Sequence, residues 1–195
     1  MLPSGVSYRV LLVSSSEQMN TSILPILTDN ACEPIRVAAS CAEARRRLLE
    51  DRYDIVIVNS PLPDEFGTKL ALDVGADTNS GVMLLVRAEA FPETNSRLSP
   101  LGILTISKPT STSVIVQSLL LLQATAQRLH RMEQRTANIE EKMEEIRLVN
   151  HAKWLLIERL GISEPEAHRY IEKTAMDRCV TKRAVAESVI QRYQS

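Results

Sequence analysis

Residues 54–67 read Asp-Ile-Val-Ile-Val-Asn-Ser-Pro-Leu-Pro-Asp-Glu-Phe-Gly. Ile55, Val56, Ile57 and Val58 follow one another with no polar alternation, so residues 54–58 predict a strand buried on both faces, as central strands of parallel sheets are. Asn59 ends the run, Pro61 and Pro63 supply a turn, and a helix is expected over residues 66–74. The same unit repeats on either side. Upstream, Tyr8–Val13 (YRVLLV) is a strand that breaks at Ser14, Ser15 and Ser16, and a helical pattern through Ile23, Leu24 and Leu27 follows. Residues 35–38 form a second strand, and Cys41–Glu50 a helix with Ala44, Leu48 and Leu49 on its apolar side. Downstream, strands are expected over residues 82–86 and 103–106, with a short Pro-containing helix over residues 90–98 between them. Five strands alternating with five helices predict an α/β fold, an open, doubly wound parallel sheet. In such sheets the functional crevice lies beyond the carboxyl ends of the strands.

The fifth helix does not stop where the sheet does. Thr112–Leu160 contains neither Pro nor Gly and reads as one helix. Counted in sevens, Leu122, Leu129, Thr136, Met143 and Asn150 share one seam position, and Thr125, Met132, Ile139, Ile146 and Lys153 share the other. Charged residues from Arg128 to Arg147 surround this narrow strip, which favours pairing into a coiled coil, with Thr136 and Asn150 as register-setting polar positions. A parallel dimer is the expectation; a single surface helix folded back on its own domain is the alternative. Leu119, Leu120, Leu121 and Leu122 serve both the sheet and the seam on this reading.

Beyond the long helix, Gly161 is a helix-ending residue and Ser163 with Glu166 can form a capping box. Helix Glu164–Arg178 should turn Ala167, Tyr170, Ile171, Thr174 and Ala175 inward, with Arg169 and Lys173 four apart on another side. Thr181 can cap a last helix, Lys182–Tyr193, with Ala186, Val189, Ile190 and Tyr193 inward. The organisation expected is a sheet domain over residues 1–120, a coiled-coil helix over 121–150, and a small three-helix bundle over 151–195 whose first helix continues the coiled coil.

Composition narrows the function. The 195 residues carry a net charge of −1, with a hydrophobic content of 44% that suits a folded globular chain. The charge divides as −3 over residues 1–110, 0 over 111–150 and +2 over 151–195, so the tail is the more basic end. Aromatic residues make up 4% of the chain, which disfavours an exposed aromatic platform for single-stranded bases. Cys32, Cys41 and Cys179 show no paired spacing and are expected as buried thiols; with scattered histidines at 130, 151 and 168 they predict no disulfide, metal or cofactor site. No stretch has the pattern of a secretory leader or a membrane span, which predicts a cytoplasmic protein without a membrane partner.

The stretch 54–67, together with Ser107-Lys108-Pro109 after the last strand, resembles the receiver domain of two-component response regulators over about residues 7–120. That resemblance implies a flavodoxin/CheY-like sheet. It also implies four roles: an acidic pair after the first strand, a phosphorylated Asp ending the third, a Ser or Thr ending the fourth, and a Lys ending the fifth. Here the Ser14 to Ser16 run occupies the acidic positions, Asn59 stands at the phosphoacceptor, Arg87 or Ala88 replaces the hydroxyl residue, and Lys108 alone matches. Acyl-phosphate formation needs a carboxylate nucleophile and acidic ligands for Mg²⁺. The expectation is a pseudo-receiver that is not phosphorylated, in which Lys108 bonds to strand-end carbonyls or to Asn59.

The run from His151 to Tyr170, continuing through Ala175-Met-Asp-Arg178 to Val185-Ala186, is similar to the ANTAR domain, an RNA-binding module of bacterial transcription antiterminators. Ala152, Lys153, Ala167, Tyr170, Ala175, Met176 and Arg178 carry the likeness; His151 and Trp154 depart from it, where a basic and a small residue are common, and Trp154 is expected to add packing. The resemblance implies a non-enzymatic antitermination regulator that binds paired RNA stem-loops as a homodimer, with a sensor or regulatory protein as a further partner. Lys153, Arg169, Lys173, Arg178, Lys182 and Arg183 are the expected RNA contacts, because stem-loops present phosphates that cations neutralise and bases on which Arg stacks. The competing readings are a DNA-binding regulator with a helix-turn-helix end and a protein-binding adaptor.

Overall fold

The computed structural model describes residues 7–193, which divide into two compact units between His130 and Arg131. The first unit alternates strands and helices: β1 (Tyr8–Val13), α1 (Glu17–Asp29), β2 (Cys32–Ala38), α2 (Cys41–Glu50), β3 (Ile55–Asn59), α3 (Thr68–Asp77), β4 (Gly81–Arg87), α4 (Phe91–Leu98) and β5 (Leu104–Lys108). Helix α5 (Thr112–Leu160) begins in this unit and continues in the second, where α6 (Glu164–Arg178) and α7 (Lys182–Tyr193) complete the chain.

All strand pairs are parallel and the order is β2-β1-β3-β4-β5, the flavodoxin-like winding expected from the sequence. Alternation along each strand sends side chains to two cores. Leu11, Val13, Val56, Val58, Leu84 and Val86 meet α2, α3 and α4 through Ala44, Leu70, Val74 and Leu98. Val10, Leu12, Ile55, Ile57, Met83 and Leu85 meet α1 and α5 through Ile23, Leu27, Ile115, Leu119 and Leu122. Ser16 caps α1 by accepting from the Met19 N–H, and Ser40 caps α2 by accepting from the Glu43 N–H. Gly67, at the start of α3, has φ +89°, and a Cβ there would lie 2.8 Å from Val58 Cγ1, so both the backbone and the core call for glycine.

Several expected details shift. Strand β2 starts at Cys32 rather than Ile35, because Tyr8 pairs with Cys32 across an irregular register that recovers at Val10 and Ile35. Strands β3 and β5 run to Asn59 and Lys108, further than the expected ends at Val58 and Ile106. Leu49 is 89% exposed and does not share the inward face of α2 with Ala44. Of the leucine run, Leu119 and Leu122 are buried against the sheet while Leu120 and Leu121 are exposed. Cys32 and Cys41 are buried as expected and Cys179 is exposed.

In the second unit, the later part of α5 packs with α6 and α7 around Ala152, Leu156, Ala167, Ile171, Ala175, Val185, Ala186 and Val189. The small residues keep the helix axes close. Gly161 takes φ +67° as α5 ends, and the Glu166 carboxylate accepts from the Ser163 N–H (2.8 Å) and hydroxyl (2.7 Å) as α6 begins. Thr181 Oγ1 accepts from the Ala184 N–H at the start of α7. Among the described residues no helix is long and apolar enough to cross a membrane.

Candidate nucleic-acid interface

Helix α6 has one face in the bundle core and another turned away from it. Ala167, Ile171 and Ala175 are buried. At about 100° per residue, Arg169 and Lys173 fall on the opposite side, with Tyr170 beside them. Arg169 and Lys173 are exposed, and among the described residues neither side chain makes a hydrogen bond or ion pair. Tyr170, expected inward, is 43% exposed: it lies one position before Ile171, and the core groove admits only the smaller stripe of Ala167, Ile171 and Ala175. Arg178 is also exposed and without such a bond. It follows Lys173 by five residues, about 140° of rotation away, so it sits off this face.

The other three cations are held by carboxylates of the bundle itself. Lys153 Nζ lies 2.7 Å from Glu164 Oε1 with its side chain only 17% exposed, which ties α5 to the start of α6. Lys182 Nζ lies 2.5 Å from Glu172 Oε1, which His168 Nε2 approaches to 3.4 Å. Arg183 Nε lies 2.9 Å from Glu187 Oε1, and the Glu187 hydrogen bond, followed by the charges of Glu187, Glu141 and Glu144, stabilises its cationic form. The structure thus groups Arg169 with Lys173, sets Arg178 apart, and surrounds Lys153, Lys182 and Arg183 with negative charge. The corresponding partners hold Glu164 and Glu172 below the ordinary carboxylate range, Lys153 acting on the first and Lys182 on the second.

Trp154 is 56% exposed rather than packed, with its ring centroid 6.5 Å from that of His151. It lies opposite Ala152 and Leu156, on the side of α5 that carries the exposed Met132, Ile139, Met143 and Ile146. Lys153, placed in the seam by sequence, faces Glu164 instead, and Trp154 takes the end of the apolar strip.

At the carboxyl ends of the strands, Lys108 Nζ donates to Asn59 Oδ1 (2.6 Å) and to the Ser60 carbonyl (2.6 Å), both of the acceptors named from sequence. Asn59 Nδ2 donates to Ser14 Oγ at 3.1 Å, and the Ser16 N–H donates to the same oxygen at 3.3 Å. Burial, followed by the charge of Arg87, shifts the Lys108 ammonium downward. The Lys108-Pro109 peptide is cis. Among the described residues, no group of three or more His, Cys, Asp or Glu side chains could hold a metal ion.

Residues 137–190 match the ANTAR domain. Over 191 residues, 96% of this chain and 92% of the relative, the sequence is 26% identical to the transcriptional regulatory protein PdtaR of Mycobacterium tuberculosis (strain CDC 1551 / Oshkosh). The sheet unit is similar in fold to the chemotaxis response regulator CheY4 of Vibrio cholerae, with 21% identity, a TM-score of 0.52 and coverage of 60% of this chain and 99% of that one. It is likewise similar to a CheY-like receiver domain protein from Methanospirillum hungatei JF-1, with 18% identity, a TM-score of 0.56 and coverage of 63% and 99%. The sheet unit therefore has a CheY-like fold, and a segment that matches the ANTAR domain follows it. That relative is a transcriptional regulatory protein by its name.

Proposed function

We propose that this chain is an antitermination regulator that, as a dimer, binds paired stem-loops in leader transcripts and prevents a competing terminator hairpin from forming. The observation that carries the reading is the outward face of α6, where Arg169 and Lys173 stand exposed with neither side chain in a hydrogen bond or ion pair among the described residues, Arg169 within reach of the Glu166 charge, beside the exposed ring of Tyr170. Unpaired cations can neutralise loop phosphates while the ring accepts an unstacked base. Arg178 adds a contact at the end of the helix. Lys153, Lys182 and Arg183 position the helices and contribute to the site only as far as RNA phosphates outbid their carboxylates.

A second copy covers the strip of Met132, Ile139, Met143, Ile146 and Trp154 in a parallel coiled coil, with Thr136 and Asn150 fixing the register. Pairing two modest sites raises the effective concentration at the second hairpin without a new contact. The RNA fold bound more tightly then accumulates, and a difference of about 1.4 kcal/mol changes the ratio about tenfold. The working division is a receiver-type domain over residues 1–120, a coiled coil over 121–150 and the bundle over 151–195.

The receiver-type domain acts without phosphorylation. An amide cannot become an acyl phosphate, and both ends of the Asn59 carboxamide already bond to Lys108 and Ser14. Such a domain can instead dock a sensor or regulatory protein. The test is affinity for a two-hairpin leader RNA against duplex DNA of equal length at matched salt. Tighter RNA binding that Arg169→Glu with Lys173→Glu removes is expected; preference for the duplex establishes a DNA regulator, and binding to neither leaves a protein adaptor.

A further inference from the structure

A carboxylate borders the cationic face of α6. At about 100° per residue, Glu172 falls about 60° from Arg169 around the helix, and Met176, one turn beyond Glu172, falls between the two. Met176 is 78% exposed. Lys182 Nζ and His168 Nε2 converge on one oxygen of Glu172, Oε1, at 2.5 and 3.4 Å. Lys182 reaches it from α7 and His168 from the preceding turn of α6. Among the described residues the second oxygen, Oε2, takes no hydrogen bond. The Lys182 hydrogen bond and charge, followed by the charge of His168, hold the carboxyl below its ordinary range, so Glu172 is an anion at neutral pH.

An anion beside phosphate-binding cations repels the backbone of every RNA alike. It favours binding only where the RNA offers a hydrogen-bond donor, and phosphates offer none. The amino groups of adenine, cytosine and guanine are such donors, and a loop exposes them once its bases are unstacked. On the RNA-binding reading proposed above, we infer that Glu172 selects the loop base, its Oε2 accepting from the exocyclic amino group while Met176 packs on the face of the ring. Held at Oε1 from two sides, the carboxylate is oriented before RNA arrives and loses little freedom on binding. Lys182 and His168 are thus positioning residues. Uracil carries carbonyl oxygens and no amino group, so the same carboxylate oxygen rejects it.

The full chain is titrated at fixed salt with four two-hairpin RNAs that share their stems and carry loops of adenosine, cytidine, guanosine or uridine alone. Wild type is expected to bind uridine loops about tenfold more weakly than the best of the other three, and Glu172→Ala to bring that ratio close to one. Glu172→Gln puts an amide N–H2 group in place of the free oxygen, so its preference should move towards uridine, whose carbonyls accept. That shift keeps the test decisive if Glu172→Ala fails to fold. The inference is overturned by uridine loops bound as tightly as the best, or by a ratio that either variant leaves unchanged. A carboxylate that only joins α6 to α7 gives the second result with all four RNAs weakened together, and one that only repels phosphate gives it with all four bound more tightly. Hairpin binding with equal affinity for the four loops overturns this inference alone, whereas a wild type that binds none of them overturns the function above as well.

Discussion

Lys108, Asn59 and Ser14 form a chain of hydrogen bonds in which an amide stands between an ammonium and a hydroxyl. On the proposed reading a carboxylate placed there should not by itself permit phosphoryl transfer, because Ser14 to Ser16 supply no acidic ligand for Mg²⁺. Wild type and Asn59→Asp are both expected to gain no mass from acetyl phosphate and Mg²⁺; an added phosphoryl group on the variant would show that the ion is held by other residues. Gly67 is constrained by φ +89° and by Val58 Cγ1, 2.8 Å from where a Cβ would lie. Gly67→Ala should therefore cost about 1–3 kcal/mol, read as a lower urea midpoint at unchanged slope. In the bundle, Lys153→Ala removes the pair with Glu164, whose carboxylate is exposed, so a small fall in the urea midpoint is expected, with a smaller effect on RNA affinity than that of Lys173→Glu.

The elements differ in how much of them the sequence discloses. Helix ends were legible because their determinants are local: Thr181, Ser163 with Glu166, and Gly161 each sit within one turn of the boundary they set. Strand ends were less so, since β2 begins at Cys32 only because Tyr8 lies opposite it. The two-sided burial of β3 was readable from Ile55 to Val58, but which face of a helix an apolar residue one position off the stripe would take was not, as Tyr170 and Leu49 show. Nor could sequence reveal that Lys153 and Lys182 meet carboxylates eleven and ten residues away, because those pairs depend on how the three helices pack. The same pairs give the bundle a pH response. Glu164, Glu166 and Glu172 are all lowered from 4.5, by Lys153, Ser163 and Lys182 respectively. Carboxylates depressed in the folded state stabilise it above their unfolded value and lose that contribution as the pH falls through the folded value. Bundle stability should therefore hold from neutrality down to about pH 4.5 and decline below it, more gently in Glu172→Gln; hydrogen exchange of α6 and α7 amides against pH measures this. Along α5, Met143→Asp with Ile146→Asp places charges in the exposed apolar strip. Sedimentation should then report one chain in place of two, with helical content retained.

At the scale of the whole molecule, the sheet winding and the ANTAR match stand on the fold and the sequence, while the account of function joins two claims: that two chains associate through α5, and that each presents the Arg169, Tyr170 and Lys173 face to one hairpin. Either claim alone would give a weak binder, since among the described residues a single face offers two exposed cations and one ring. The most direct test is the mass of the complex formed with a two-hairpin leader RNA, measured by sedimentation as protein is titrated at fixed salt. Saturation at two chains per RNA, with affinity well above that for either hairpin alone, is the predicted result; saturation at one chain, or no complex with hairpin RNA, would contradict the account.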